Sequence, residues 1–257
     1  MKNDKTILFA IIGFIIMFVL YGLSSSGYLG DSPVGQTASY VNPLIVPAGY
    51  AFSIWSIIYL GLIVFPFYQW KQGDRTSIQW QKVRVLYSIN VILNGVWLAF
   101  ASYSWLILSV IVIVGMLITL YMITEQLIRI EQEGQPLNYW IEKLVFSIYF
   151  AWITLATVLN VSSALSFYKW NGFGISEVMW SYIILPIVAI IAGFVVKKYR
   201  SLPYAAVVIW AFMAIVVKHW ETLESLSYLA VSIALIYFIY ILNDLRLRPA
   251  SKNFSPF

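Results

Sequence analysis

Eight apolar runs, each about 20 residues long and parted by short polar stretches, constrain this chain more than any other feature. They fall at 6–24, 46–68, 84–102, 104–124, 139–162, 177–196, 203–218 and 223–242, the seventh being the shortest. Such a run, at about 1.5 Å per residue, matches the ~30 Å hydrocarbon thickness of a bilayer. Backbone polar groups in lipid find no water, so each run should be a helix, which satisfies its own. The expected fold class is all-α, a polytopic membrane protein of about eight transmembrane helices. Composition agrees: 61% of 257 residues are hydrophobic and 11% are charged, unlike an ordinary soluble domain.

Charge placement orients the runs. With the N-terminus inside, only Lys169 and Lys218 of the sixteen Lys and Arg fall on the outer side. This is a strong positive-inside bias, and it puts both termini in the cytoplasm. The first run, behind Lys2 and Lys5, reads as a retained span rather than a cleaved signal peptide. The net charge of +5 reflects topology, so nucleic acid is not an expected partner. Membrane lipids are, with the basic side facing anionic headgroups. The chain has no Cys and one His, which removes thiolate chemistry and leaves no expected metal site. No phosphate-binding Gly-rich loop or catalytic constellation is present either, so an enzyme is the less favoured reading.

Residues 25–45 form the longest outer connection, rich in Gly, Ser and Pro and free of Lys and Arg. Loops of this length often cover a functional site. The inner connections at 70–83 and 125–138 read as ordinary solvated segments. A tight turn at 102–104 makes the third and fourth spans antiparallel neighbours. Composition shifts near 163–176, which divides the chain into residues 1–165, five spans rich in Trp and Asn, and residues 166–257, three plainer spans. Pro186 should kink the sixth span.

The Trp and Asn residues of the first five spans are not explained by crossing a membrane. Asn90, Asn94 and Trp97 recur at i, i+4 and i+7, and Trp152, Ala156 and Asn160 at i, i+4 and i+8, so each set shares a helix face. Counting rise from the span ends puts Trp55, Asn94 and Trp152 in one layer of the outer half, roughly 12–15 Å deep. An amide in lipid must find a partner or a cavity. Asn90 is expected to be interhelical glue, and Gly95 with Ala99 a small-residue helix contact. Other tryptophans, such as Trp105 and Trp140, suit interfacial belts. His219 reads as an interfacial residue, and Glu142 and Lys143 as flanks of the fifth span.

Three stretches resemble a known family. Pro47-Ala48-Gly49-Tyr50-Ala51-Phe52-Ser53-Ile54-Trp55-Ser56-Ile57-Ile58-Tyr59 is similar to the second-helix signature of the translocator protein family, the tryptophan-rich sensory proteins (TspO/MBR). Leu93-Asn94-x-x-Trp97-x-x-Phe100 resembles its third-helix motif, and Trp152-x-x-x-Ala156-Thr157-x-Leu159-Asn160 its fifth. The likeness covers roughly residues 1–165. Two departures stand out: Tyr50 occupies a position usually held by Trp, and one residue fewer separates Phe52 from Trp55.

The resemblance implies a five-helix bundle in a bacterial cell membrane, often a homodimer, with an outer-half pocket for a porphyrin or other tetrapyrrole beneath a lid at 25–45. Here three helices are added. Applied to this sequence, Trp55, Trp97 and Trp152 would stack on or edge a flat apolar ligand, with Tyr50 and Phe52 at the mouth. Asn94 would bond its polar edge, and Ala156 and Asn160 would complete the wall. No cofactor is required beyond such a bound tetrapyrrole. The expected role is a sensor or regulator. The alternatives are a small-molecule transporter using all eight helices, a porphyrin-modifying enzyme, and a scaffold in which these groups only pack.

Overall fold

A computed structural model of the chain describes residues 5–30, 43–73 and 75–247. They contain eight long helices and no strand: α1 Lys5–Ser25, α2 Ile54–Lys71, α3 Ile78–Ser102, α4 Leu106–Gln132, α5 Val145–Phe167, α6 Glu177–Tyr199, α7 Leu202–His219 and α8 Glu224–Leu247. All eight are long and apolar enough to cross a membrane, α2 with its leading turn Gly49–Ser53 included. The chain is thus an all-α protein built for a bilayer. Most of the lid expected at 25–45 lies outside the described residues.

Polar residues extend several helices beyond their apolar runs. α3 begins at Ile78 because Ser77 caps it, Oγ accepting the Trp80 N–H at 3.4 Å. At the start of α5, Asn138 Oδ1 accepts the N–H groups of Trp140 and Ile141, both at 3.0 Å, opening a π-helical turn over Tyr139–Leu144. α6 ends where Arg200 takes a left-handed conformation (φ 49°), and Ser201 caps α7 at once.

α3 lies between α1 and α4, and small residues set the closeness. A Cβ on Gly13 would come within 3.2 Å of the Ser88 backbone, and one on Gly95 within 3.2 Å of Met17 Cα. Gly95 is therefore the close helix contact expected of it, with α1 as its neighbour. Asn90 is interhelical glue, its Nδ2 donating to Met116 O at 3.1 Å and Thr119 Oγ1 at 2.8 Å on α4. The seventh run, the shortest in the sequence, proves to be interior. α7 and α5 are the two most buried spans, at 61% of the span window each.

The basic end is tied by a buried polar cluster. Arg84, Gln69 and Glu142 are fully buried. Arg84 donates to Thr6 Oγ1 at 2.7 Å and to Gln69 Oε1 at 3.3 Å, while Gln69 donates to Glu142 Oε1 at 2.7 Å. Arg75 forms an ion pair with Glu142, and Lys143 one with Glu131. Glu142 and Lys143 are therefore interior ties rather than membrane flanks. The connection around Arg75 is equally held: its guanidinium lies 4.2 Å from the Trp80 ring centroid. Bringing α1, α2, α3 and the start of α5 together leaves these charges no water, so they satisfy one another.

At the opposite end, here called the loop end, α7 holds the segment that leads into α2. A prolyl strap has unpaired backbone groups that must bond elsewhere. Ala48 N–H donates to Ala214 O at 3.1 Å, Lys218 Nζ to Val46 O at 2.8 Å, and His219 Nε2 lies 2.8 Å from Leu44 O. Glu177 Oε1 accepts the Leu44 N–H at 3.0 Å, and Trp210 Nε1 donates to Ala51 O at 3.1 Å. His219, expected at the interface, is 4% exposed because it sits behind this strap. The seam between residues 1–165 and 166–257 is closed further by Tyr204, whose hydroxyl donates to Thr154 Oγ1 at 2.8 Å.

Candidate functional site

Between the loop ends of α1 to α5 lies a cavity of about 440 Å³. Six of the residues expected to form a ligand site line it: Phe52, Trp55, Trp97, Trp152, Ala156 and Asn160. Helical spacing places all but Phe52, which the leading turn Gly49–Ser53 carries. Phe52 and Trp55 enter from the start of α2, Trp97 from the last turns of α3, and the other three from one face of α5.

The tryptophans are arranged about Trp55. It stacks on Trp97, with centroids 5.8 Å apart and planes at 26°, and on Tyr59 at 5.2 Å. Trp152 meets Trp55 edge-on at 6.5 Å and 88°, and meets Phe52 at 5.6 Å and 89°. These offset and perpendicular pairings are the favourable ones for aromatic quadrupoles. Trp97 is fixed from behind: its Nε1 donates to Asn160 Oδ1 at 3.0 Å, and Asn160 Nδ2 donates to Ala156 O at 2.9 Å. Ala156 keeps the wall beside Trp152 open, as a larger side chain could not.

Two expected residues stand elsewhere. Asn94 is fully buried and does not line the cavity. Its Nδ2 donates to Tyr149 OH at 2.9 Å, and its Oδ1 accepts from Tyr59 OH at 3.4 Å. The amide is satisfied within the protein, because α5 presents a tyrosine in its layer, so a ligand's polar edge is not its partner here. Tyr50 turns away toward α7 and meets Trp210 edge-on at 5.1 Å. The leading turn Gly49–Ser53 sends it and Phe52 to different sides, so only Phe52 reaches the cavity.

The structure adds residues that were not among those expected to form the site. Tyr59 lines the wall one helical turn from Trp55, and Tyr149 backs it one turn from Trp152; that i+4 and i−3 spacing is the signal the sequence holds for them. Tyr21 of α1 and Val46 of the strap also line it, and nothing in their local sequence marks them.

One polar group in this wall is unmet. Trp152 is 1% exposed, and its Nε1 has no hydrogen-bond partner among the described residues. Buried indole N–H groups normally find one. The chamber thus offers stacked aromatic faces and a mainly apolar lining, and one of its wall residues carries an unmet donor, which suits a flat apolar molecule.

A protein-family model described as TSPO-like protein matches residues 7–243. The match continues past residue 165 through α6, α7 and most of α8. No curated protein and no solved structure matches the chain.

Proposed function

The chain belongs to the TSPO-like protein family, and on that premise we propose that it binds a flat, largely apolar ligand, a porphyrin or other tetrapyrrole, and acts as a membrane sensor or regulator. The observation that carries this reading is the convergence of Trp55, Trp97 and Trp152 from three helices on one cavity. The spare Trp152 N–H supports it. The ligand lies against the Trp55 and Trp97 faces, with Trp152 and Phe52 at its edges, and no other cofactor takes part.

The positive-inside distribution supports both termini being cytoplasmic with the chamber opening outward, and the membrane proposed is that of a bacterial cell, on the family likeness alone. A transport pathway through all eight helices has less support. The serines that such a pathway would offer in the last three spans are engaged with backbone, Ser181 donating to Val178 O, Ser227 to Val216 O and Ser232 to Tyr228 O.

A tryptophan-fluorescence titration with protoporphyrin and with its dimethyl ester tests the reading in the wild-type chain and in Trp55→Phe and Trp152→Phe. An aromatic contact contributes ~0.5–1.5 kcal/mol beyond area burial, so each variant should bind roughly 2–12-fold more weakly. Unchanged affinity in both variants would remove the chamber as the site.

A further inference from the structure

A flat-ligand chamber still has to accept its ligand in some charge state, and the chemistry of the wall selects which. Its described lining consists of aromatic and aliphatic residues, Ser and Asn, with no Lys, Arg, His, Asp or Glu. Residues 31–42, outside the described set, contain one carboxylate, Asp31, and no cationic side chain. The loop-end connections elsewhere contribute two cations. Lys218 gives its ammonium to Val46 O at 2.8 Å, on the α7 side of the strap. Lys169 is exposed beyond the end of α5 and is not part of the wall.

Part of the wall's polar set is spent internally, as Trp97, Asn160 and Ala156 show. The donors that remain are neutral: the buried, unpartnered Trp152 Nε1–H and the hydroxyls of lining serines such as Ser56 and Ser163. A carboxylate entering here loses its hydration and gains no cation, and a few neutral donors do not offset that loss. An uncharged molecule with a carbonyl-type acceptor meets the same donors without the penalty.

We propose that the chamber takes its ligand in uncharged form, with its acid groups absent, esterified or protonated and any buried acceptor directed to Trp152. This rests on the reading of the chamber as a ligand site given above. It turns a geometric preference for flat rings into a chemical preference for neutral ones. A tetrapyrrole diester, or the protonated acid, fits the wall; the dicarboxylate does not.

The test compares protoporphyrin dimethyl ester with protoporphyrin itself on the full chain reconstituted in zwitterionic vesicles. Binding is read by tryptophan quenching, and partitioning into protein-free vesicles is subtracted. The titration runs from about pH 8 down to about pH 4, across the range in which carboxylic acids titrate. At the high end the diester should bind at least ~10-fold more tightly than the free acid. As pH falls, the free acid should gain affinity relative to the diester, which shares its ring-nitrogen protonation and so serves as the control. The described lining of the wall holds no carboxylate, imidazole or amine that could produce this difference. Glu177 and His219, across the strap, would move both ligands together.

Trp152→Phe should weaken the diester, whose ester carbonyls can accept a bond, more than a porphyrin bearing only alkyl substituents. Equal affinity of acid and diester at high pH, or tighter binding of the acid, overturns the proposal and leaves the chamber reading intact. Failure of both to bind removes the tetrapyrrole reading and this inference with it.

Discussion

Gly61 marks the tightest point of the crossing between α2 and α5, and replacing it with Ala should loosen the chamber from below. A Cβ at Gly61 would fall 2.4 and 2.5 Å from the two γ-methyls of Val145 and 3.0 Å from its Cβ. Val145 is β-branched, so one χ1 rotation cannot carry both methyls away. The helices must separate instead. Overpacking of this kind costs about 1–3 kcal/mol. Ala in place of Gly returns up to ~1 kcal/mol of helix propensity. The net loss should be about 1–2 kcal/mol, a factor of roughly 5–30 in the folded-to-unfolded ratio. SDS titration of the detergent-solubilised protein, followed by circular dichroism, measures it. Adding Val145→Ala should recover the loss, with a coupling energy of about 1–2 kcal/mol in the double-mutant cycle. Gly22, where an added Cβ would meet nothing within 4 Å, is the control: Gly22→Ala should be neutral or stabilising. Because α2 carries Trp55 and α5 carries Trp152, Gly61→Ala should also weaken ligand binding. Wild-type stability in Gly61→Ala, or no rescue by Val145→Ala, would refute the packing argument.

Three further outcomes are expected. Asn94→Leu strands the hydroxyls of Tyr59 and Tyr149, which should cost about 1–3 kcal/mol in the same SDS assay while changing ligand affinity less than Trp152→Phe does. A chain without cysteine allows clean single-site labelling. A Cys introduced in place of the buried Ile45 should react slowly with maleimide, and faster once Lys218→Met and His219→Ala release the strap; an unchanged rate would mean that those bonds do not hold it. Glu142→Ala removes the carboxylate that pairs with Arg75 and accepts from Gln69, and should cost about 3–5 kcal/mol, read as lost folded yield or early unfolding in SDS.

The bilayer made much of this fold legible. Lipid forces every long apolar run into a helix, so the eight elements followed from length alone. The chamber's aromatic walls were legible as well, because Trp97 and the Trp152–Asn160 set repeat at helical spacing within their own helices. What failed to show was whatever depends on a second element. Asn94 looked like a ligand contact because its face was right, yet Tyr149 on a neighbouring helix had already claimed its amide. Tyr50 looked like part of the mouth because it lies two residues from Phe52, but a short turn rather than a helix sets its direction. Glu142 and His219 looked like boundary residues because they sit at run ends, where local sequence cannot distinguish a solvated charge from one packed under a strap or in a polar cluster.

The strap also sets an order of events during synthesis. Leu44 and His219 are 175 positions apart. At about 5–20 residues per second, the segment at the chamber's mouth is made roughly 9–35 s before the residues that pin it. The aromatic walls can assemble from the first five helices while that entrance is still unfastened. The mouth takes its final form only when the seventh helix arrives, so a nascent chain passes through an interval in which the chamber exists and its doorway does not.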